Sequence, residues 1–179
     1  MRCFVAVELD DVIKKEISKF LTSFNYVSMK SVEDENLHIT LKFLGEIEEK
    51  KIEEVEENLK LVSSQFEPFA VEFSGIGVFP NVHAARVLWI AIKGEKMVEL
   101  AKKVDDSLYS SGFPRERSII PHITIGRIKH VSNWRRLEED LNRYSTLTFG
   151  KMEIQSIKIK KSILTPKGPV YSDLKVVRL

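Results

Sequence analysis

Histidine is the side chain whose ordinary pKa, about 6.5, lets it take up and release protons near neutral pH. Two of the four histidines in this 179-residue chain stand in the same local sequence, His38-Ile-Thr40 and His122-Ile-Thr124. Alternate side chains of an extended strand share a face. Each triplet would therefore present an imidazole beside a hydroxyl, with Ile39 and Leu41, or Ile123 and Ile125, anchored in a core behind it. Two imidazoles and two hydroxyls in one cleft suit the opening of a cyclic phosphodiester by water. One ring deprotonates the water and its twin protonates the departing ribose oxygen. Thr40 and Thr124 can donate hydrogen bonds to the non-bridging phosphate oxygens, where charge builds in the transition state. No metal is required. Two histidines are too few for a usual zinc site, and the chain has neither a second Cys nor a His-Glu-x-x-His motif.

A lone His-x-Thr carries little information, so the elements around the two copies decide its weight. The chain opens with a strand, Arg2 to Glu8. Val12, Ile13, Ile17, Phe20, Leu21 and Phe24 follow at helical spacing, with Asp10 or Asp11 as cap. Val27 to Asn36 carries no readable code and is expected as loop, polar from Ser31 onward. The first motif lies in the apolar stretch Leu37 to Leu44, closed by Gly45. A helix with Ile52, Val55, Leu59 and Val62 on one face follows. Phe69 to Phe79 is then a strand, with Gly75 and Gly77 as bulge or bend points.

The order then repeats. Arg86 to Ile92 is a strand, Glu95 to Ser110 a helix ended by Gly112 and Pro114, and Pro121 to Ile125 a strand holding the second motif. Asn133 to Leu141 forms a short helix with Ser132 as cap. Leu147 to Ile159 and Val170 to Val177 are strands separated by the turn Thr165 to Pro169. Arg2 and Arg86, His38 and His122, and Thr40 and Thr124 are each 84 residues apart. One offset shared by a strand opening and a motif in the strand after the next helix marks an internal duplication. Two copies predict paired lobes in one domain rather than a solenoid.

Composition sets outer limits. A hydrophobic fraction of 43% with 30% charged residues suits a globular domain. The single Cys3 rules out an internal disulfide, and the apolar run Cys3 to Val7 is too short for a signal peptide or a membrane span. The expectation is a cytoplasmic protein. A net charge of +2 argues against a strongly basic duplex binder and permits an enzyme that holds one phosphate tightly and the rest of a strand loosely.

The motifs in their context resemble the 2H phosphoesterase superfamily, and within it the bacterial and archaeal RNA 2',3'-cyclic phosphodiesterases, historically called 2'-5' RNA ligases. The resemblance rests on Arg2 to Ala6, His38 to Gly45, Arg86 to Trp89, Pro121 to Arg127 and Gly168 to Tyr171, and covers nearly the whole chain. It implies an α+β fold of two pseudo-symmetric lobes, each an antiparallel sheet with outer helices, around a central cleft. Residues 1–179 would form one domain, the first lobe motif in about 1–80 and the second in about 84–179. The implied activity is hydrolysis of RNA 2',3'-cyclic phosphate ends to 2'-phosphates with no cofactor or metal. His38 and His122 match the catalytic pair, Thr40 and Thr124 the phosphate-binding hydroxyls, Arg127 a phosphate-contacting arginine and Phe43 a base-stacking aromatic. Following the family, His122 is the base and His38 the acid, although the near-twin motifs do not themselves assign the roles. The implied partner is RNA with a cyclic phosphate end (tRNA fragments or short oligonucleotides), with no membrane or obligate protein partner, in a monomer.

Strict alternation conflicts with two of these assignments. It puts Arg127 on the face opposite His122 unless Gly126 permits a bulge, and it puts Phe43 with Ile39 and Leu41, where core packing competes with stacking on a base. His130 and His83 are expected at the surface, and Trp89 and Trp134 in core or helix packing. Gly75-Ile-Gly77 lacks the third glycine of a dinucleotide fingerprint. Two other activities stay open: a 2'-5' ligase joining the cyclic end to a 5'-hydroxyl, and a non-catalytic binder of RNA ends.

Overall fold

A computed structural model describes all residues, 1–179. The apolar periodicities become elements as the spacing predicts. Strand β1 (Arg2–Glu8) leads into α1 (Asp11–Leu21), whose buried face is Ile13 and Ile17. Asp10 caps α1 by accepting the Ile13 backbone N–H at 2.9 Å. β2 (Val27–Ser31) and β3 (His38–Glu46) precede α2 (Glu49–Ser63), which buries Ile52, Val55, Leu59 and Val62. β4 (Phe69–Phe79) and β5 (Val87–Lys93) lead to α3 (Glu95–Ser110), then β6 (His122–Val131) and α4 (Trp134–Arg143). The chain ends with β7 (Thr148–Ile154), β8 (Ser156–Thr165) and β9 (Gly168–Arg178).

The second motif strand runs on to Val131, beyond the Ile125 end read from the sequence, and β8 and β9 reach Thr165 and Gly168 at the turn. Three further differences change the topology or a cap. Val27–Ser31 is a strand that pairs with β6 rather than a loop; its pairing lies about a hundred residues away, beyond any local signal. The stretch 147–159 is broken at Gln155 into β7 and β8, which join opposite ends of the sheet. Asn133, not Ser132, caps α4, accepting the Arg136 N–H at 3.0 Å. No helix is long and apolar enough to cross a membrane.

Eight strands form one antiparallel path, β7-β4-β5-β6-β3-β1-β8-β9, with β2 added on β6. The path is symmetric about its centre, where β3 and β6 meet through one pair of residues, Ile39 and Ile123. Those two isoleucines are 84 apart, so a pseudo-two-fold axis passes between the two motifs. Each half of the sheet draws strands from both halves of the chain, since β4 lies beside β5, and β8 beside β1. The helices cross over too: α1 packs on β7, whereas α3 packs on α2 and β3. A single core of 41 buried residues therefore runs beneath both halves, and neither can be peeled away with its core intact.

An ion pair is enclosed in that core. Lys42 is fully buried, and its ammonium meets Asp105 of α3 and the Pro114 carbonyl. Burial alone would raise the Asp105 carboxyl; Lys42 and the Glu116 backbone N–H instead hold it below the usual carboxylate range. The pair ties the first motif strand to the helix and turn that precede the second. Removing one partner of a buried pair strands the other charge and costs ~3–5 kcal/mol. Lys42→Ala should therefore lower the unfolding free energy by about that amount in a urea titration. Lys42→Met combined with Asp105→Leu should recover most of it. A Lys42→Ala protein as stable as the parent would show that the pair carries no structural weight.

Candidate active site

The pairing of Ile39 with Ile123 sets the geometry of the site. One step outward along antiparallel strands, His38 comes opposite Thr124 and Thr40 opposite His122. All four side chains line one cavity of about 550 Å³, together with Phe43 and Arg127. All six residues singled out from the sequence are thus brought together. His83 and His130 are exposed and lie outside this cavity.

Two bulges resolve the conflict with alternation. On β3 the partners of Val5 and Ala6 are Lys42 and Thr40, so Leu41 is extra. On β6 the partners of Leu88 and Trp89 are Gly126 and Thr124, so Ile125 is extra. These residues are again 84 apart. Each bulge buries two successive residues, Leu41 with Lys42 and Ile125 with Gly126, and returns the next one to the cleft face. Phe43, 64% exposed, is therefore not a core residue. At Gly126 a side chain would collide with the Met29 sulfur of β2.

Both imidazoles are oriented alike. His38 Nδ1 lies 2.6 Å from the Asn36 carbonyl oxygen, and His122 Nδ1 lies 2.7 Å from that of Ile120. A carbonyl only accepts, so Nδ1 carries the proton in each ring and Nε2 is left for the cleft. His38 Nε2 is 3.0 Å from Thr40 Oγ1, which donates to it in the neutral ring. Aromatic rings support both imidazoles: Phe4 and Tyr171 at 4.9 and 5.4 Å from His38, Phe79 and Trp89 at 5.1 and 6.1 Å from His122. Trp89 thus braces the second motif instead of joining the helix-side core. Its ring occupies the space that a side chain at Gly77 would fill.

The twin sites are not equivalent. Burial, opposed by the Asn36 carbonyl, pushes the His38 pKa down to about 4. The β8–β9 hairpin lies over the His38 side, where Asn36 Nδ2 donates to the Pro169 carbonyl at 3.1 Å and Tyr171 packs on the ring. Asn36, Tyr171 and the hairpin tip were given no role from the sequence. Gly168 to Tyr171 carried a signal in the resemblance, but nothing local connected it to His38.

Duplicated antiparallel folds that bring paired His-x-Thr strands to one cleft form the class of two-histidine phosphoesterases. This chain belongs to the LigT-like phosphoesterase family, which it matches over residues 7–89 and 91–171. It is 42% identical to an RNA 2',3'-cyclic phosphodiesterase of Methanocaldococcus jannaschii, over 98% of this chain and 99% of the relative. It is 44% identical to one of Archaeoglobus fulgidus, again over 98% and 99%. A crystal structure from Thermus thermophilus aligns with a TM-score of 0.84 at 26% identity, covering 100% of this chain and 98% of that one. Escherichia coli LigT complexed with 3'-AMP aligns at 0.77 and 22% identity, over 99% and 97%, a likeness of fold.

The half-buried His38 makes stability depend on pH. The folded protein binds the His38 proton more weakly (pKa about 4) than the unfolded chain does (6.5). Its contribution is complete above pH 6.5 and is lost as the pH falls toward 4. The loss is ~2–3 kcal/mol at pH 4.5. Urea titrations at pH 7 and 4.5 should show this drop in the parent and a smaller one, by that amount, in His38→Gln. Equal drops would mean that the fold does not hold His38 neutral.

Proposed function

We propose that this protein hydrolyses the 2',3'-cyclic phosphate at an RNA end to a 2'-phosphate, without a metal, using His38 and His122 as acid and base. The observation that carries the reading is the pair of Nδ1-anchored imidazoles in one cleft with both threonines, on strands related by the pseudo-dyad. The names of the relatives at 42 and 44% identity support the substrate class.

In this mechanism the water oxygen attacks phosphorus while Nε2 of one histidine takes its proton. The bond from phosphorus to the 3'-oxygen breaks, and Nε2 of the other histidine gives that oxygen a proton. Thr40 and Thr124 donate to the non-bridging oxygens, Arg127 neutralises the phosphate charge, and Phe43 stacks on the terminal base, worth ~1–3 kcal/mol. The family resemblance assigns the base to His122 and the acid to His38. Burial keeps His38 neutral at pH 7, so its acid role requires the anionic phosphate beside it to offset the burial that holds its pKa near 4.

The test is an assay in EDTA on a short RNA ending in a 2',3'-cyclic phosphate, with the product identified by chromatography. A 2'-phosphate end is expected, and His38→Ala or His122→Ala should each slow its formation by ~10²–10⁴-fold. Near-full activity of a folded His38→Ala protein would sink the paired-histidine mechanism, and activity lost in EDTA and restored by a divalent metal would sink metal independence. The kcat/KM profile should be bell-shaped with its acid limb near pH 4, well below the ordinary histidine range. An acid limb near 6.5 would contradict the burial of His38 in the free enzyme.

A further inference from the structure

The cleft extends past the paired imidazoles to a corner that the acid–base chemistry leaves unused. Lys30 on β2 is the register partner of Arg127 on β6. Its ammonium donates to the Lys167 carbonyl, 3.3 Å away at the tip of the β8–β9 hairpin. Lys30, Arg127 and Lys167 all line the cavity. None of the three has a carboxylate within 4.0 Å. The neighbouring Lys158 and Lys160 behave differently: both are held by Glu8 and Asp173, so their charge is already matched. Unmatched cations in a concave wall concentrate field and attract anions. Glu33 and Glu35, exposed on the connection between β2 and β3, repel phosphate from the other part of the rim. The corner is thus where this lining draws a second anion.

Its position fits a strand. Arg127 lies three residues beyond Thr124 on β6, with one residue taken up in the bulge, which puts the corner roughly 7–10 Å along the strand. That is comparable to one nucleotide step of an extended single strand. The cavity volume of about 550 Å³ also exceeds the needs of one cyclic phosphate and falls in the range that takes a whole ligand of nucleotide size.

Resting on the phosphodiesterase reading above, we infer that Lys30 and Lys167 bind the next phosphodiester of the RNA, the one joining the terminal nucleotide to its 5' neighbour, with Arg127 between it and the reacting phosphate. The preferred substrate is then an oligonucleotide end, and a free cyclic mononucleotide is a poor one. Both lysines are exposed, so substituting them leaves the core untouched.

The experiment compares kcat/KM for adenosine 2',3'-cyclic phosphate with that for a dinucleotide ending in the same group. The dinucleotide linkage is either an ordinary phosphate or an uncharged methylphosphonate. For the parent, the charged dinucleotide should be preferred over the mononucleotide by about tenfold, the usual worth of hydrogen bonds to a charged group. The preference should fall to about twofold or less with the methylphosphonate, or in the Lys30→Gln/Lys167→Gln variant. The logarithm of kcat/KM for the charged dinucleotide should also fall with log salt more steeply, by ~0.7 in slope. Equal use of mononucleotide and dinucleotide would overturn the subsite, as would a preference unchanged by the methylphosphonate or by the double substitution. Failure of the parent to open either cyclic phosphate would instead remove the phosphodiesterase reading, and the subsite with it.

Discussion

The two halves of the sheet meet through a single backbone pairing, between Ile39 of β3 and Ile123 of β6. Each motif strand is held by a longer ladder on its outer side, β3 by β1 and β6 by β5, and β2 extends the inner edge of β6 beyond the joint. The central joint therefore needs little pairing of its own to stay in register. A slip of one residue there would turn the imidazole of the slipped strand toward the helices and its isoleucine toward water, since side chains alternate along a strand. The crossed helices oppose such a slip. α3, from the second half of the chain, packs on β3, and the Lys42–Asp105 pair fixes it there.

The bulges at Leu41 and Ile125 let two strands serve a core and a cleft at once. Without its bulge each strand would send Phe43 or Arg127 into the helix side. Placing a guanidinium there without a partner would cost several kcal/mol. A bulge forfeits a ladder hydrogen bond, worth about 1 kcal/mol net. The bulge is the smaller loss, and both copies of the duplicated unit have it. Below each bulge the helix side is filled differently: Lys42 reaches Asp105, whereas Gly126 leaves room for Met29 of β2.

Near-identical motifs end in different environments because the chain closes the cleft from one side. The β8–β9 hairpin covers His38 through Tyr171 and Asn36, and the Lys30–Lys167 contact bridges it to β2 beside β6. His38 loses water and is held neutral, so a symmetric duplication places its two imidazoles in different surroundings.

By itself the sequence determined the duplication, the strands and helices built on local periodicity, and the identity of the two His-x-Thr motifs. Those features repeat at short spacing or at one constant offset, so they can be read without knowing what touches what. The family match over both halves and the α+β fold agree with that reading. The sequence left Arg127 and Phe43 in conflict with their strands, because a bulge is set by the partner strand and not by the residues that bulge. It read Val27–Ser31 as loop, because the strand exists only by pairing with β6. Asn36, Tyr171, Lys30 and Lys167 stayed invisible as neighbours of the site. They are separated by up to 141 residues (30 to 171), and only the folding of the hairpin over the cleft brings them together. Burial, which sets the state of His38, is likewise a property of the packed molecule: the same imidazole in an extended chain keeps its ordinary pKa.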